Sequence, residues 1–593
     1  MKRNEIDDKY KWNLGDIFAS DADWENDFTR LQGLLPALKG LKEGFAQSAK
    51  ALADAMVRID EASLLCERLY VYAKMRRDED NANALYQGMT DRAMSLYVTV
   101  SGETSFVAPA LLKFPADTLE QYIAEEKALA PYAFMIRDII RQKQHVLSEN
   151  EEKLLSLSSD FASGARDIFT MLNNADLKFG TVSTPEGPVT LTHAKYAELL
   201  QHKDRQVRKD AFDTYYSAFR GSINTIAATY STSVKKDIYY TRVRGYESAL
   251  ARALFSDDVP VSLYDTLIGT IHDSLGTMYD YIETRRKILG LPDIAMYDIY
   301  VPLVGDIDKK YNYDQAMDLV TEALSPLGEE YIALLRRART ERWIDVYESD
   351  GKTSGAYSWG AYGTHPYVLL NHRDDLDSAF TIAHELGHAM HSYYSDEAQP
   401  FPLAAYTIFV AEVASTVNEI LLTKYLLDNA DEALKKYVLN HYLDQFRTTV
   451  LRQTMFAEFE RISHAMGESG EPLTHEALSQ KYAELNRLYY GDGIQTCDTI
   501  AIEWTRIPHF YNAFYVYKYA TGFSAAVAIA TGIYEGKPGV RDAYFEFLKS
   551  GGSDYPLNLL KKAGVDFAGG APVKACMQAF AAALADFKTV MGV

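Results

Sequence analysis

The residues from Phe380 to His391 read Phe-Thr-Ile-Ala-His-Glu-Leu-Gly-His-Ala-Met-His, and they carry the strongest signal in the chain. Apolar residues recur here at the spacing of an amphipathic helix. Residues i and i+4 lie on the same face of a helix, so the imidazoles of His384 and His388 lie one above the other. Such a pair can bind one zinc ion, and Glu385 beside it can act as general base on a zinc-bound water.

A catalytic zinc ion usually has a third protein ligand, and His391 is a poor choice for it. Seven helical residues separate His391 from His384 by about 10.5 Å along the axis. Both cannot reach one ion at about 2.1 Å. His391 is better interpreted as a neighbour of the ligands or as a groove wall. The extended metzincin motif is absent, because it requires glycine at 391 and histidine at 394, where this chain has Tyr394.

The segment Phe409–Ile420, FVAEVASTVNEI, supplies a candidate for the third ligand. Glu412 lies in an otherwise apolar helical turn, and a buried carboxylate there is costly unless it meets a cation. The alternative is that Glu412 is solvated or paired with a basic side chain. Glu419 lies two turns further along the same face. We expect it either to orient a histidine or to be an ordinary surface residue.

Most of the remaining chain has helical periodicity, which two segments interrupt. Residues 178–191 contain a Pro-Glu-Gly turn between apolar and β-branched residues and predict a hairpin. Residues 341–373 predict a small sheet, with the best strand at 365–371. The expected fold class is therefore mainly α, with an N-terminal helical region at 1–190 and a catalytic zinc-peptidase domain at 191–593.

Helices are predicted beyond the small sheet as well, because the helical period returns there and continues towards the end of the chain. Their expected ranges are 376–395, 402–428, 431–466, 472–490 and 508–534. No repeat of 20–50 residues is visible, which argues against a solenoid.

The composition excludes several classes of protein. The 593 residues include 61 Lys and Arg against 82 Asp and Glu, a net charge of −21. This argues against nucleic acid and anionic membranes as partners, because both require a basic surface. No segment approaches the ~20 uncharged apolar residues of a membrane helix, and the charged start of the chain is unlike a secretory signal. Cys66, Cys497 and Cys576 predict no disulfide framework. We expect a cytoplasmic enzyme.

Further segments extend the pattern beyond the zinc motif. They are HELGHAMHS from His384, EVASTVNE from Glu412, GAY…HPYVLLN at 355–371, FRTTVLRQTMFAEFE at 446–460, HFYNAFYVYKYATG at 509–522 and the opening KWNLGDIF at 11–18. With these segments the chain resembles oligoendopeptidase F, in the clan of zinc peptidases that includes thimet oligopeptidase and neurolysin. The resemblance covers nearly the whole chain.

This resemblance implies a large helical body of two halves, with a deep central groove and a small β-sheet next to the zinc site. One Zn²⁺ per chain would be held by His384, His388 and Glu412. An edge strand from 355–371 would bind an extended peptide through main-chain groups, independently of its side chains. The implied substrates are short, unstructured oligopeptides.

The resemblance also implies groups that stabilise the oxyanion of the reaction. His509 matches the family histidine. Tyr511, Tyr515, Tyr517 and Tyr519 compete for the tyrosine role, and Tyr515 and Tyr517 fit best under two slightly different alignments. The chain has 42 tyrosines in all, which also suit large helix interfaces.

The expected function is hydrolysis of internal peptide bonds by a zinc-dependent endopeptidase. One alternative is a carboxypeptidase or dipeptidyl carboxypeptidase of the same architecture, in which Arg447 or Arg452 would bind the substrate carboxylate; helix ion pairs are the simpler interpretation of both. A non-catalytic peptide-binding protein is another alternative. Glu385 argues against it, because a binding protein has no use for a base at that position.

Overall fold

The computed structural model describes residues 1–305, 309–495 and 497–593, apart from the side chain of Asp160. The expected mainly α fold class is confirmed, since helices dominate the described residues and strands are few and short. Among the described residues, every helix falls short of the length or the apolar character that crossing a bilayer requires.

The helices and strands of the first part of the chain, in order, are α1 (Asp21–Gly40), α2 (Ala49–Glu79), α3 (Ala84–Thr104), α4 (Val107–Leu112), α5 (Ala116–Glu125), α6 (Ala133–Gln142), α7 (Glu149–Ala162), α8 (Gly164–Met171), β1 (Thr181–Thr184), β2 (Gly187–Thr190), α9 (His193–Leu199), α10 (Arg205–Gly221), α11 (Ile223–Val243), α12 (Ala249–Phe255), α13 (Val261–Asp273), α14 (Leu275–Ile288) and β3 (Ile294–Ala295).

The elements of the second part are α15 (Tyr313–Ala323), α16 (Glu329–Thr340), β4 (Ile344–Asp345), β5 (Tyr357–Trp359), β6 (Tyr367–Leu369), α17 (Leu376–Ala398), α18 (Phe401–Ala404), α19 (Ile408–Asn429), α20 (Glu432–Gln445), α21 (Arg452–Ser469), α22 (His475–Tyr490), β7 (Ile494–Gln495), α23 (Tyr517–Tyr534), α24 (Val540–Leu548), α25 (Pro556–Lys562) and α26 (Ala571–Met591).

The chain forms two compact units, and each is assembled from three segments. Unit 1 comprises Met1–Gln144, Asp308–Tyr425 and Ile529–Val565, and unit 2 comprises His145–Ile307, Leu426–Ala528 and Asp566–Val593. The expected boundary at 190 falls within unit 2, just after the β1–β2 hairpin. The predicted division at residue 190 follows the sequence, whereas the two units combine distant segments. The prediction of an N-terminal region and a catalytic domain therefore stays a prediction.

Unit 1 contains the predicted small sheet, with the strand order β4–β6–β5. Strand β4 runs parallel to β6, and β5 runs antiparallel to it with Trp359 opposite Tyr367. The predicted strand at 365–371 is therefore the middle strand. The edge expected within 355–371 is β5, whose outer side has no partner strand among the described residues. The sheet packs on α17, the helix that carries the zinc motif.

The opening segment KWNLGDIF holds this sheet in place. The ring of Trp12 packs against Tyr357 at 6.3 Å and against Tyr367 at 6.1 Å between centroids. The Trp12 indole N–H donates to Glu79 of α2 at 2.8 Å. The hydroxyl of Tyr367 donates to the carbonyl of Asn13 at 2.9 Å. Contacts between residues far apart in the chain thus hold β6 in place beside α17.

Unit 2 is built from helices and two small strand pairs. The predicted hairpin is confirmed, with Thr181 of β1 opposite Thr190 of β2. Strands β3 and β7 pair in parallel, with Ile294 opposite Ile494, which the sequence did not predict. Tyrosines fill the helix interfaces, as expected; Tyr230, for example, is fully buried and bonds Ser463.

Three of the predicted helices are wrong in detail. The helix at 402–428 is split into α18 and α19, and that at 431–466 contains a π-helical turn at Phe446–Leu451. The helix at 508–534 begins only at Tyr517, after a 3₁₀ turn at Pro508–Tyr511. The cause is Phe514, whose φ of 61° places it in the left-handed region and ends any helix there.

Candidate active site

Helix α17 positions both histidines of the zinc motif. It begins after Asp375, whose side chain accepts the N–H of Ser378 at 2.8 Å and caps the helix. The helical spacing brings the rings of His384 and His388 to 4.8 Å between centroids. The predicted helix and the shared face of the two histidines are confirmed.

The glycine of the zinc motif lets α19 approach α17. A Cβ atom on Gly387 would lie 2.5 Å from the Cα of Ser415 and 2.6 Å from the carbonyl oxygen of Ala414, so a larger residue cannot fit. Beside this contact, the amide of Asn418 donates to the carbonyl of Ala383 at 3.0 Å. Sequence reasoning missed Gly387. The available signal was a glycine inside a helix, which costs about 1 kcal/mol relative to alanine and so suggests a packing reason.

The close approach of α19 brings Glu412 to the histidines. The two Nε2 atoms of His384 and His388 are 3.2 Å apart, and each lies 3.4 Å from Oε2 of Glu412. Ligands about 2.1 Å from a tetrahedral ion stand about 3.4 Å from one another. Two imidazole nitrogens and a carboxylate oxygen are also the donors that zinc accepts, so these residues fit the metal.

Glu412 differs from the sequence expectation in its exposure. The prediction that its carboxylate is buried is wrong, because 50% of the side chain is exposed. Ser415 Oγ donates to its Oε2 at 3.0 Å. Partial burial raises the pKa of Glu412, but the hydrogen bond and charge of His388 and the charge of His384 outweigh it and lower that pKa to about 2. The carboxylate therefore stays ionised and available to a cation.

Glu419 holds the ring of His384 in place. Its Oε1 lies 2.6 Å from Nδ1 of His384, so Nε2 of the same ring is turned towards Glu412. Burial lowers the pKa of His384, but the bond to Glu419 and the charges of Glu419, Glu385 and Glu412 raise it to about 9. Glu419 thus orients a histidine, and the surface alternative is wrong because its side chain is only 17% exposed.

Glu385 follows the first histidine on α17 and is buried, with 7% of its surface exposed. Burial raises its pKa above the ordinary value, against the opposing charges of His384 and His388. A raised pKa brings a carboxylate closer to the range in which it can accept and release a proton.

His391 lies outside this cluster, as expected. The potential ligand atoms of His384, His388 and Glu412 lie within 4.8 Å of one another, and His391 does not join them. Its ring is buried and stacks on Tyr406 at 3.7 Å. Burial and the charge of His388 lower the pKa of His391 to about 3, so it stays neutral.

The histidine and tyrosines expected to bind the oxyanion belong to unit 2. His509 lies in the 3₁₀ turn, with Tyr515 stacked at 6.2 Å between ring centroids and the hydroxyl of Tyr519 at 3.4 Å from its Nε2. Tyr517 is fully buried against Tyr264 at 5.3 Å. The local structure thus groups His509 with Tyr515 and Tyr519.

Tyr511 and Phe514 explain the shape of this segment. The hydroxyl of Tyr511 is 2.8 Å from that of Thr229, so it is bound within unit 2. The N–H of Phe514 donates to the buried carboxyl of Glu460 at 3.2 Å, which holds the left-handed backbone. The spacing of the tyrosines along the sequence therefore does not translate into a helical face.

Other residues singled out from the sequence have structural contacts. Arg447 pairs with Asp444 at 3.0 Å and Arg452 with Glu503 at 2.5 Å, which agrees with the ion-pair interpretation. The cysteines Cys66, Cys497 and Cys576 are free, as expected.

Known proteins are similar to this sequence over nearly its whole length. The sequence model of peptidase family M3 matches residues 198–578. The chain belongs to peptidase family M3. A model described as oligopeptidase F matches residues 111–179, so the expected boundary at 190 lies between the two matched segments.

Two curated relatives are similar to this M3 peptidase. It is 45% identical to oligopeptidase PepF of Bacillus subtilis (strain 168), over 98% of this chain and 87% of that protein. It is 40% identical to the group B oligopeptidase PepB of Streptococcus agalactiae serotype III (strain NEM316), over 99% and 98%.

A solved structure is also similar to this chain in sequence and fold. Oligoendopeptidase-F from Enterococcus faecium is 36% identical, with a TM-score of 0.74 over 96% of this chain and 99% of that chain. The expected identification as a metalloendopeptidase of the oligoendopeptidase F type is confirmed by these matches.

Proposed function

We propose that this M3 peptidase is zinc-dependent and hydrolyses internal bonds of short, unstructured oligopeptides. The observation that supports this most strongly is the convergence of His384, His388 and Glu412 at tetrahedral spacing. The names of the relatives, oligopeptidase and oligoendopeptidase, support short peptides as the substrates. The acidic composition supports a cytoplasmic enzyme with peptide partners rather than nucleic acid.

His384, His388 and Glu412 hold the zinc ion, which when bound supplies a Lewis acid that polarises a carbonyl and makes a water acidic near neutral pH. Glu385 accepts a proton from the attacking water on its carboxylate and then delivers it to the leaving amine. Its raised pKa suits both steps, because the group must take up the proton and release it. Glu419 keeps Nε2 of His384 directed at the site through its bond to Nδ1.

Peptide binding is assigned to the free edge of β5. An extended substrate bonded there through main-chain groups is held in register without selection of its side chains. The oxyanion of the tetrahedral intermediate is assigned to hydrogen-bond donors in the segment that begins at His509. Tyr515 is favoured for its contact with His509, whereas Tyr517 would have to leave its buried position to take part.

One assay tests the proposal. A short internally quenched peptide, blocked at both ends, is incubated with the enzyme as purified, after treatment with phenanthroline, and after zinc is returned. We expect internal cleavage that the chelator abolishes and zinc restores. A requirement for a free C-terminus would favour the carboxypeptidase alternative. Binding without any cleavage, in the presence of zinc, would favour a peptide-binding protein.

A further inference from the structure

Unit 1 contains a cavity of about 860 Å³, which is within the usual size of ligand pockets. Its walls come from α2, α3, the end of β5 with the loop that follows it, the last turns of α17, and the segment that leads into α19. None of the residues that bind the metal or transfer the proton in the proposed reaction lines this cavity.

The cavity continues the face of α17 that carries the zinc motif. Ser392 and Asp396 line it, and they follow His388 by one and two i+4 steps. They are therefore about 6 and 12 Å from His388 along the helix axis. Trp359, the last residue of β5, also lines the cavity. A peptide lying along β5 advances about 3.3 Å per residue, so it reaches the cavity about two to four residues from the bond being cleaved.

Two carboxylates of the cavity wall lack a cation. Oε1 of Glu67 accepts the N–H of Tyr362 at 2.8 Å, which ties this side chain to the loop after β5. Among the described residues, neither Glu67 nor Asp396 forms an ion pair with a lysine, arginine or histidine. Burial and the charges of Glu67 and Glu397 raise the pKa of Asp396 to about 7, with no positive charge acting against them. The cavity wall thus holds two acidic side chains without a basic partner among the described residues, and a cation bound there would favour their ionised forms.

Aromatic rings form a further part of the lining. Tyr70 packs edge-on against Trp359 at 5.9 Å and lies 6.5 Å from Tyr97 between ring centroids. Tyr97 is half-exposed, so it lies at the rim of the cavity. The faces of such rings attract cations, and the attraction increases when the cation loses water. Rings and carboxylates together select for positive charge.

We propose that this cavity is a subsite for a cationic group of the substrate, two to four residues from the cleaved bond, with Glu67 and Asp396 as its counter-charges. The group is the ammonium or guanidinium of a basic side chain or the α-ammonium of the peptide. The inference rests on the proposed endopeptidase function, since it concerns the peptide that this zinc site cleaves.

The test uses two matched sets of short, blocked, quenched peptides. One set carries a single lysine at each position around the cleaved bond in turn, and the other carries norleucine, a neutral side chain of similar shape, at the same position. We expect wild-type kcat/KM to favour lysine roughly tenfold at one position about two to four residues from the bond. The double variant Glu67→Gln, Asp396→Asn should reduce this ratio to near 1.

Glu397→Gln is the control, because it removes an acidic side chain next to Asp396 on α17 that does not line the cavity, and the preference for lysine should persist in it. In Glu67→Gln the side-chain oxygen can still accept the N–H of Tyr362, so the loop is retained. Releasing the N-terminal block of the norleucine peptides distinguishes the two sources of charge. A gain only with the free N-terminus assigns the subsite to the α-ammonium.

Two outcomes would overturn the proposal. One is a wild-type ratio near 1 at every position, with no gain from a free N-terminus. The other is a preference for lysine that survives in the double variant. Failure of the proposed function has a different result, because the metal-loaded wild type would then cleave none of the peptides, norleucine set included.

Discussion

Glu412 in unit 1 and Glu503 in unit 2 both have a carboxyl pKa held at about 2, but for different reasons. Glu503 is buried, and its oxygens bond Arg452 at 2.5 Å, Arg506 at 2.7 Å and Tyr482 at 2.6 Å. Burial raises the pKa of Glu503, and the charges of the two arginines outweigh that effect. Its charge is neutralised permanently, because arginine does not lose its proton.

Glu412 is half-exposed, and among the described residues its ion-pair partners are His384 and His388 alone. A histidine can exchange its proton for a metal ion near neutral pH, and an arginine cannot. A low carboxyl pKa therefore does not identify a functional site. What distinguishes the cluster of unit 1 is that its positive charge is replaceable.

The largest effect that this contrast predicts is that of His388→Ala. Removal of one nitrogen ligand should abolish zinc retention and reduce turnover at least ~10³-fold, because the metal contributes several kcal/mol to the transition state. Zinc content by mass spectrometry and hydrolysis of the quenched peptide measure both. His475→Ala, which removes a histidine from unit 2, is the control. Full zinc occupancy in His388→Ala would remove this residue from the ligand set.

Glu503→Gln should have the opposite consequence, a loss of stability without a loss of metal. It leaves two partly buried arginines without their buried counter-charge, so we expect destabilisation by about 3 kcal/mol. Denaturant titration measures it, with the exposed Glu476→Gln as a control that leaves the midpoint unchanged. A variant that loses zinc while keeping its midpoint would contradict the division between the two clusters.

Glu419→Gln tests whether the orientation of His384 matters for metal binding. Loss of an outer carboxylate of this kind typically costs about 10- to 100-fold in metal affinity. Competition with a coloured chelator gives the affinity, and Glu397→Gln serves as the charge-matched control on the neighbouring helix. Unchanged affinity in Glu419→Gln would mean that the ring of His384 is held by packing alone.

The smallest effect concerns how stability depends on pH at Asp396. Its pKa is raised, whereas the pKa of Glu503 is lowered. The raised pKa of Asp396, about 7, means that its stabilising contribution is complete below its unfolded value of about 3.9 and is lost as pH rises through 7. Asp396→Asn should therefore be more stable than the wild type above pH 7, by about 1 kcal/mol after solvent screening. Denaturation midpoints at pH 5 and pH 8.5 measure this. A difference independent of pH would show that Asp396 ionises normally.

Helical periodicity explains why the first part of the site was predictable. The positions of His384 and His388 follow from spacing within one helix, and the side of α17 on which they lie is as expected. Glu412 was chosen for a buried carboxylate that the structure does not have, yet its oxygen meets both histidines. The close helix approach at Gly387 depends on α19, so spacing within α17 alone could not reveal it.

The rest depends on contacts that no local pattern encodes. The pairing of Ile294 with Ile494 joins strands about 200 residues apart, and each strand has only two residues. The segment at 508–534 was predicted as one helix because the helical period returns there, but the left-handed Phe514, held by Glu460, breaks it. The two units each combine three distant segments, which a reading along the chain cannot group.

Zinc content and turnover of Glu385→Gln, measured on the same preparation beside the wild type, test the central claim most directly. The cluster of His384, His388 and Glu412 is intact in this variant, so we predict one zinc per chain in both proteins. Turnover of the blocked peptide should fall about 10²- to 10⁴-fold, which is the usual contribution of a general base. Turnover at the wild-type rate with zinc bound would contradict the account.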